Sequence, residues 1–252
     1  MTPWKFVKMG MTFKNLPLVE VIVRAATSQI IPMDLANIGR LADVDEFGEA
    51  KFLQKPWQGV GAVAVMKPEG LPFGVEFRGT TGIDSVVQSD LVATRWTAME
   101  PGSVDYVGFE ALVSVLSRLL ETLQGVEVYQ SQFRACNMSY TSVIESADAP
   151  TTRFVKRYFK GLLPECSAEA DLFYEINTSW KTDKIDIRAQ INRVFRAEDI
   201  HGLRVSTTAG HIIEEGDIID SITQNHTALQ KFFPTLLTDE AKKEWEYENG
   251  ST

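Results

Sequence analysis

The sequence predicts an α+β fold in which antiparallel sheet carries helices packed on one face, and three observations predict it. Strand-forming runs outnumber helical stripes, the runs come in adjacent hairpin-like pairs, and the two strongest helical stripes each follow a block of strands. A doubly wound parallel sheet would instead alternate strand and helix throughout. The strand-block-then-helix pattern occurs twice, which fits two related subdomains and one long curved sheet equally well.

The first strand spans Leu18 to Ala26, a β-branched run whose entry is set by Pro17. A helix follows, with Pro32 suited to its first turn and Leu35, Ile38, Leu41 and Ala42 at helical spacing. Pro56 and Gly59 punctuate the chain before a small-residue strand, Val60 to Met66, in which Gly61 suggests close backbone approach. Phe73, Val75 and Phe77 alternate as a half-buried strand does. Ser85 to Thr97 reads as a hairpin turning at Ser89-Asp90.

The strongest helix runs from Tyr106 to Gln124, where Phe109, Leu112, Val113, Leu116, Leu119, Leu120 and Leu123 form one stripe and Gly125 stands as terminator. Val126 to Tyr140 reads as one long strand, and Ser142 to Ala149 turns polar ahead of Pro150. A second hairpin pairs Ala170–Trp180 with Lys184–Phe195 around Lys181-Thr182-Asp183, and Leu203 to Thr208 supplies a third run. The last long helix begins near Asp217 on a stripe of Ile219, Ile222, Leu229 and Phe233, and Pro234 should interrupt it. Thr238 then caps a terminal helix, Asp239 to Trp245. The organisation expected is a flexible extension over residues 1–12, one α+β domain over 13–246 with a division at 142–150 left open, and a polar tail at 247–252.

At 252 residues the chain can bury a full core without disulfide or metal staples. Its hydrophobic fraction of 44 % and charged fraction of 23 % are those of a globular domain, not of a disordered one. A net charge of -9 works against nonspecific attraction to nucleic acid or an anionic membrane. No run approaches the ~20 apolar residues of a bilayer span, and the N-terminus lacks the apolar stretch of a secretory signal. The two cysteines, Cys136 and Cys166, have no Cys-x-x-Cys spacing and read as reduced, packed thiols, so the expected location is cytoplasmic.

The string Phe13-Lys14-Asn15-Leu16-Pro17-Leu18-Val19-Glu20-Val21 resembles the N-terminal signature of a sporadically distributed family of prokaryotic proteins of unknown function. Looser similarity extends over Phe133 to Tyr140 and over His226, Phe232-Phe233, Leu237 to Ala241 and Trp245. The chain departs from the family at Phe133-Arg134-Ala135-Cys136-Asn137, where an Arg-Tyr-Ile-Asn-like string is usual. The resemblance implies a bacterial or phage-borne protein encoded in mobile regions, an anti-phage defence-type setting, and no activity.

Phosphate-binding Gly-rich loops, the Gly-x-Ser-x-Gly elbow and the His-Glu-x-x-His helix are all missing from the sequence. Three features still carry chemical types worth placing. The stretch from residue 198 to 220 holds carboxylates and imidazoles, of which Asp199, His201, His211 and Glu214 would be the ligands of a divalent metal; a solvated acidic rim is the plain alternative. His226 lies on the apolar stripe of the last helix, where it could act as a tuned base or simply hydrogen-bond and pack. The run from Arg153 to Lys160 interleaves Arg153, Lys156, Arg157 and Lys160 with Phe154, Tyr158 and Phe159. As a helix it gathers the four cations on one broad face, suited to an acidic partner or a phosphate backbone; as a strand it divides them.

The expected function is therefore a non-catalytic binding or regulatory component of a bacterial accessory or anti-phage defence-type system. It would recognise a protein partner, a second copy of itself, or a nucleic acid through the local basic patch, with no cofactor and no membrane contact. The competing class is a metal-assisted hydrolase built on the 198–220 stretch.

Overall fold

A computed structural model describes residues 12–13, 16–27, 31, 35–44, 47–54, 73–79, 81–98, 105–124, 133–146, 151–162, 175–182, 184–197, 200–214 and 216–248. The chain opens with β1 (Thr12–Phe13), β2 (Leu18–Thr27), α1 (Leu35–Ala42) and the strands β3 (Glu49–Leu53), β4 (Gly74–Arg78), β5 (Ile83–Gln88) and β6 (Leu91–Thr97). Helix α2 (Phe109–Gln124) closes that half, and β7 (Phe133–Ser146), α3 (Thr152–Tyr158), β8 (Glu175–Thr182), β9 (Ile185–Ala197) and β10 (Ile200–Ile212) follow. The chain ends through α4 (Ile218–Leu236), α5 (Asp239–Glu244) and β11 (Tyr247–Glu248).

Among the described residues nine of the strands form one sheet in the order β3-β4-β5-β6-β2-β7-β10-β9-β8, with every neighbouring pair antiparallel, and β1 and β11 form a separate pair. From the centre outward the first half runs β2, β6, β5, β4, β3 and the second runs β7, β10, β9, β8. Each half thus places its first strand at the middle, sets the last strand of its block beside it, and adds the others outward. Among the described residues the first half carries one more strand at its margin.

Side chains alternate across each strand, so register decides which residues the helices cover. Val21 faces Trp96, Val23 faces Thr94 and Ala25 faces Val92, and all these lie buried on the helix side. There α2 contributes Leu112, Leu116, Leu119 and Leu123, and α4 contributes Ile222 and Leu229. A second cluster beneath α3 and α5 joins Val155, Tyr158 and Phe159 to Ile191, Leu203, Val205 and Trp245. The opposite face is largely polar: Arg24 is opposite Asn137, Ser206 is opposite both Thr141 and Gln190, and Arg204 is opposite Asn192.

The α+β class and the one-sided helix layer agree with the sequence, while several boundaries differ for physical reasons. The segment from Ser142 to Ser146, whose composition suggests a polar turn, is the end of β7. Val143 and Ile144 are buried there, and β10 supplies the backbone partners that small polar residues need in a strand. The run expected from Leu203 to Thr208 extends in both directions because Gly202 and Gly210 permit close approach rather than breaking the strand. A Cβ at Gly202 would lie 2.8 Å from the Ile144 carbonyl oxygen, and one at Gly210 would lie 2.9 Å from Asn137 Cβ. Helix α4 passes through Pro234 to Leu236, since a proline so near the C-terminal end forfeits only one ladder bond. The sequence does not predict strand β3, because Glu49, Ala50 and Lys51 are weak strand formers, acceptable on an edge. Tyr247 and Glu248, expected in a tail, pair with Phe13 and Thr12. The expected strand at Val60 to Met66, Pro32, Gly125, Cys166 and the residues from Val126 to Gln132 lie outside the described residues.

Candidate functional site

Polar side chains are concentrated where α4 crosses β7 and β10. Cys136, Met138 and Tyr140 share the helix side of β7 by strand alternation, and Asn225 and His226 face them from α4. The Tyr140 hydroxyl lies 2.8 Å from His226 Nδ1. On its other side the imidazole stacks on Phe109 of α2, with ring centres 3.9 Å apart and planes within 10°. Tyr106 packs edge-on against both Trp96 and Tyr140. Burial lowers the pKa of His226 to about 4, with Glu110 opposing the shift, so the ring is neutral at physiological pH. Burial also raises both tyrosines well above their ordinary value, which keeps the phenols protonated.

One residue earlier on α4, Asn225 is fully buried and binds in several directions. Its amide nitrogen donates to Cys136 Sγ at 3.1 Å and to the Cys136 carbonyl at 3.4 Å, and its oxygen lies 3.0 Å from His211 Nδ1. Burial raises the Cys136 thiol to about 12 against the opposing hydrogen bonds of Asn225 and His211, so it stays protonated and a poor nucleophile. Two imidazoles, a thiol and two phenols therefore lie within one region, and the His226 ring, the Cys136 thiol and both phenols are held in their neutral forms. Sequence inspection places His226 on the apolar stripe and misses its partners. The alternation that puts Tyr140 on the buried side of a strand is a usable signal, but the residue facing it across 86 positions is not.

The proposed metal ligands are not gathered. His201 and His211 stand at opposite ends of β10, roughly 33 Å apart at ~3.3 Å per strand residue. His211 is engaged with Asn225, and Glu214 is exposed 3.6 Å from Lys184 Nζ. Asp217 caps α4 by accepting from the amides of Ile219 and Asp220. Asp199, Glu198 and Glu215 lie outside the described residues. Among the described residues no three His, Cys, Asp or Glu side chains converge as a metal site would require.

The basic run is helical only as far as Tyr158: Arg153, Lys156 and Arg157 lie on α3, but Phe159 is extended and bridges to Leu237, which takes Lys160 off the helix and out of the expected four-cation helical face. Thr151 caps α3 by accepting from the Phe154 amide, and Arg153, Lys156, Arg157 and Lys160 are all exposed. The other side is anchored, for Tyr158 stacks on Trp245 with ring centres 5.5 Å apart and Phe159 packs on the same indole. Backbone bonds hold this corner as well: Lys160 N–H donates to the Leu236 carbonyl at 2.8 Å, and Thr238 N–H to that of Tyr158 at 3.0 Å. Arg157 is committed internally through Glu240 at 2.8 Å and Glu244 at 3.3 Å, and the Tyr158 hydroxyl also donates to Glu244. Arg153 and Lys160 form no ion pair among the described residues.

The outer side of α4 and the start of β9 enclose an open groove of about 570 Å³ lined by Ile185, Ile187, Thr223, Thr227, Lys231 and Phe232, among others. Lys231 is the only ionisable group among the described residues lining it. No described helix is long and apolar enough to cross a membrane. No known family and no curated protein matches this chain.

Proposed function

We propose that this chain is a non-catalytic binding or regulatory component of a bacterial accessory or anti-phage defence-type system, recognising an acidic protein surface through α3. The observation that supports this reading is the helix's two-sidedness. Its aromatic side is pinned to the α4–α5 corner by Tyr158 and Phe159, so Arg153, Lys156 and Arg157 on the helix and Lys160 just past its end are presented from a rigid base on a chain of net charge -9. A protein partner is favoured over nucleic acid because a phosphate backbone, with one charge per ~1.7 Å along its length, runs past the cationic face onto the acidic remainder of the molecule, whereas a protein can confine its acids to the patch that α3 touches. The bacterial and defence setting comes from the resemblance of the Phe13 to Val21 string.

The test is affinity capture from native cells with wild type and an Arg153→Glu, Lys160→Glu variant, followed by salt elution. Arg157 is left in place because its ion pairs tie α3 to α5. The expected result is a partner released as salt screens charges beyond ~8–10 Å, lost from the variant, with melting temperatures within about 1 °C of each other. Retention of the partner by a folded variant, or unfolding of the variant, would refute the assignment of this face. A nuclease-sensitive partner would replace the protein reading with the nucleic-acid one.

A further inference from the structure

We propose that the protein forms a two-fold dimer by antiparallel pairing of β8 with the β8 of a second copy, joining the two sheets into one. Among the described residues β8 is the outermost strand of its half, whereas the matching strand of the first half, β4, carries β3 on its outer edge. Among the described residues no strand lies on the outer side of its eight residues, and such an edge presents a row of backbone donors and acceptors that a further strand would satisfy.

The side chains identify the occupant. Directly opposed residues in an antiparallel pair project to the same face of the sheet. Placing the two-fold axis at Thr178 sets Glu175 opposite Lys181 of the second copy, Ile176 opposite Trp180, and Asn177 opposite Ser179. Each copy thereby meets acid with base, apolar with apolar and polar with polar. Shifting the register by one residue joins the helix side of one copy to the polar side of the other, and shifting it by two separates Glu175 from Lys181 and Ile176 from Trp180.

Three observations support this pairing beyond its arithmetic. Asn177 Nδ2 and Gln190 Nε2 hold the Glu175 carboxylate at 2.7 and 2.6 Å, placing the acid before any partner arrives. Lys181 is exposed, opposite Asp186 on β9, and forms no ion pair among the described residues. Thr178 is half-buried and its enclosed hydroxyl has no hydrogen-bond partner among the described residues, so on the axis a χ1 rotation brings it to the same hydroxyl of the second copy.

One strand pair buries little area, so the dimer should be weak, with Kd on the order of 10 μM. Sedimentation equilibrium of the full chain from about 1 to 200 μM would measure it. Lys181→Glu sets two carboxylates opposite each other at both ends of the strand pair and should raise Kd about tenfold or more. Adding Glu175→Lys to that variant restores opposite charges and should return Kd to within about threefold of wild type. Thr178→Cys in a Cys166→Ser background should form a disulfide dimer on mild oxidation, since residues opposed on the axis lie within disulfide reach. A chain that stays monomeric over this range would overturn the proposal, as would a dimer that ignores Lys181→Glu or fails to cross-link at Thr178.

Discussion

His226 is neutral because it is enclosed by Phe109 and Tyr140, and that has a cost at low pH. Above the unfolded value near 6.5 the native ring and the unfolded ring are both neutral, and the enclosure stabilises the fold in full. As the pH falls toward about 4, the unfolded chain takes up a proton that the native ring refuses, so this stability is lost across that window. The full shift corresponds to about 3 kcal/mol, and water reaching part of the ring reduces this to about 2 kcal/mol. Urea unfolding of wild type and His226→Asn at pH 7 and pH 4.5 checks this, because asparagine retains an acceptor for Tyr140 but cannot titrate. The wild type should lose about 2 kcal/mol more than the variant between the two conditions. Equal losses would mean that His226 is not enclosed as described.

Helix α2 is the element on which the first half depends. Leu112, Leu116, Leu119 and Leu123 are each at most 2 % exposed and face β5, β6 and β2, while Glu110, Ser114, Arg118 and Glu121 point to water. The Thr94 hydroxyl of β6 also donates to the Leu112 carbonyl at 3.1 Å, tying the helix to the sheet by a buried polar contact. Leu116→Ala removes branched carbons from a fully buried site and should lower unfolding free energy by ~2–5 kcal/mol. Chemical denaturation would measure the change, and a value below about 1 kcal/mol would place Leu116 on another face. Helix α3 is too short to be stable alone and depends on the aromatic contacts with Trp245 instead.

Across the whole molecule, β2 and β7 join the two halves, each paired on both sides through the centre of the sheet. Opening either half therefore breaks a ladder shared with the other. Native-state hydrogen exchange should find the amides of β2, β7 and β10 exchanging only through global unfolding, and those of β3 opening locally and fastest. Two separate protection levels, one for each half, would instead mean that the halves unfold independently.

The β-branched run from Leu18 to Ala26, the leucine stripe of α2 and the caps Asp217 and Thr238 are short-range patterns, and the sequence alone determined them. They set the fold class, the one-sided helix layer and the helix starts, because strand and helix periods and capping act over a few residues. Only the tertiary structure decided that Ser142 to Ser146 is strand and that Gly202 and Gly210 lie inside β10, since partners from β7 and β9 outweigh local propensity. The candidate sites divide along the same line. The helical placement of Arg153, Lys156 and Arg157 was legible from spacing, but the end of the helix before Lys160 and the commitment of Arg157 to Glu240 were not. His201 and His211 looked like one ligand set because a sequence lists residues without distance, and a strand that rises ~3.3 Å at each step holds its two ends apart.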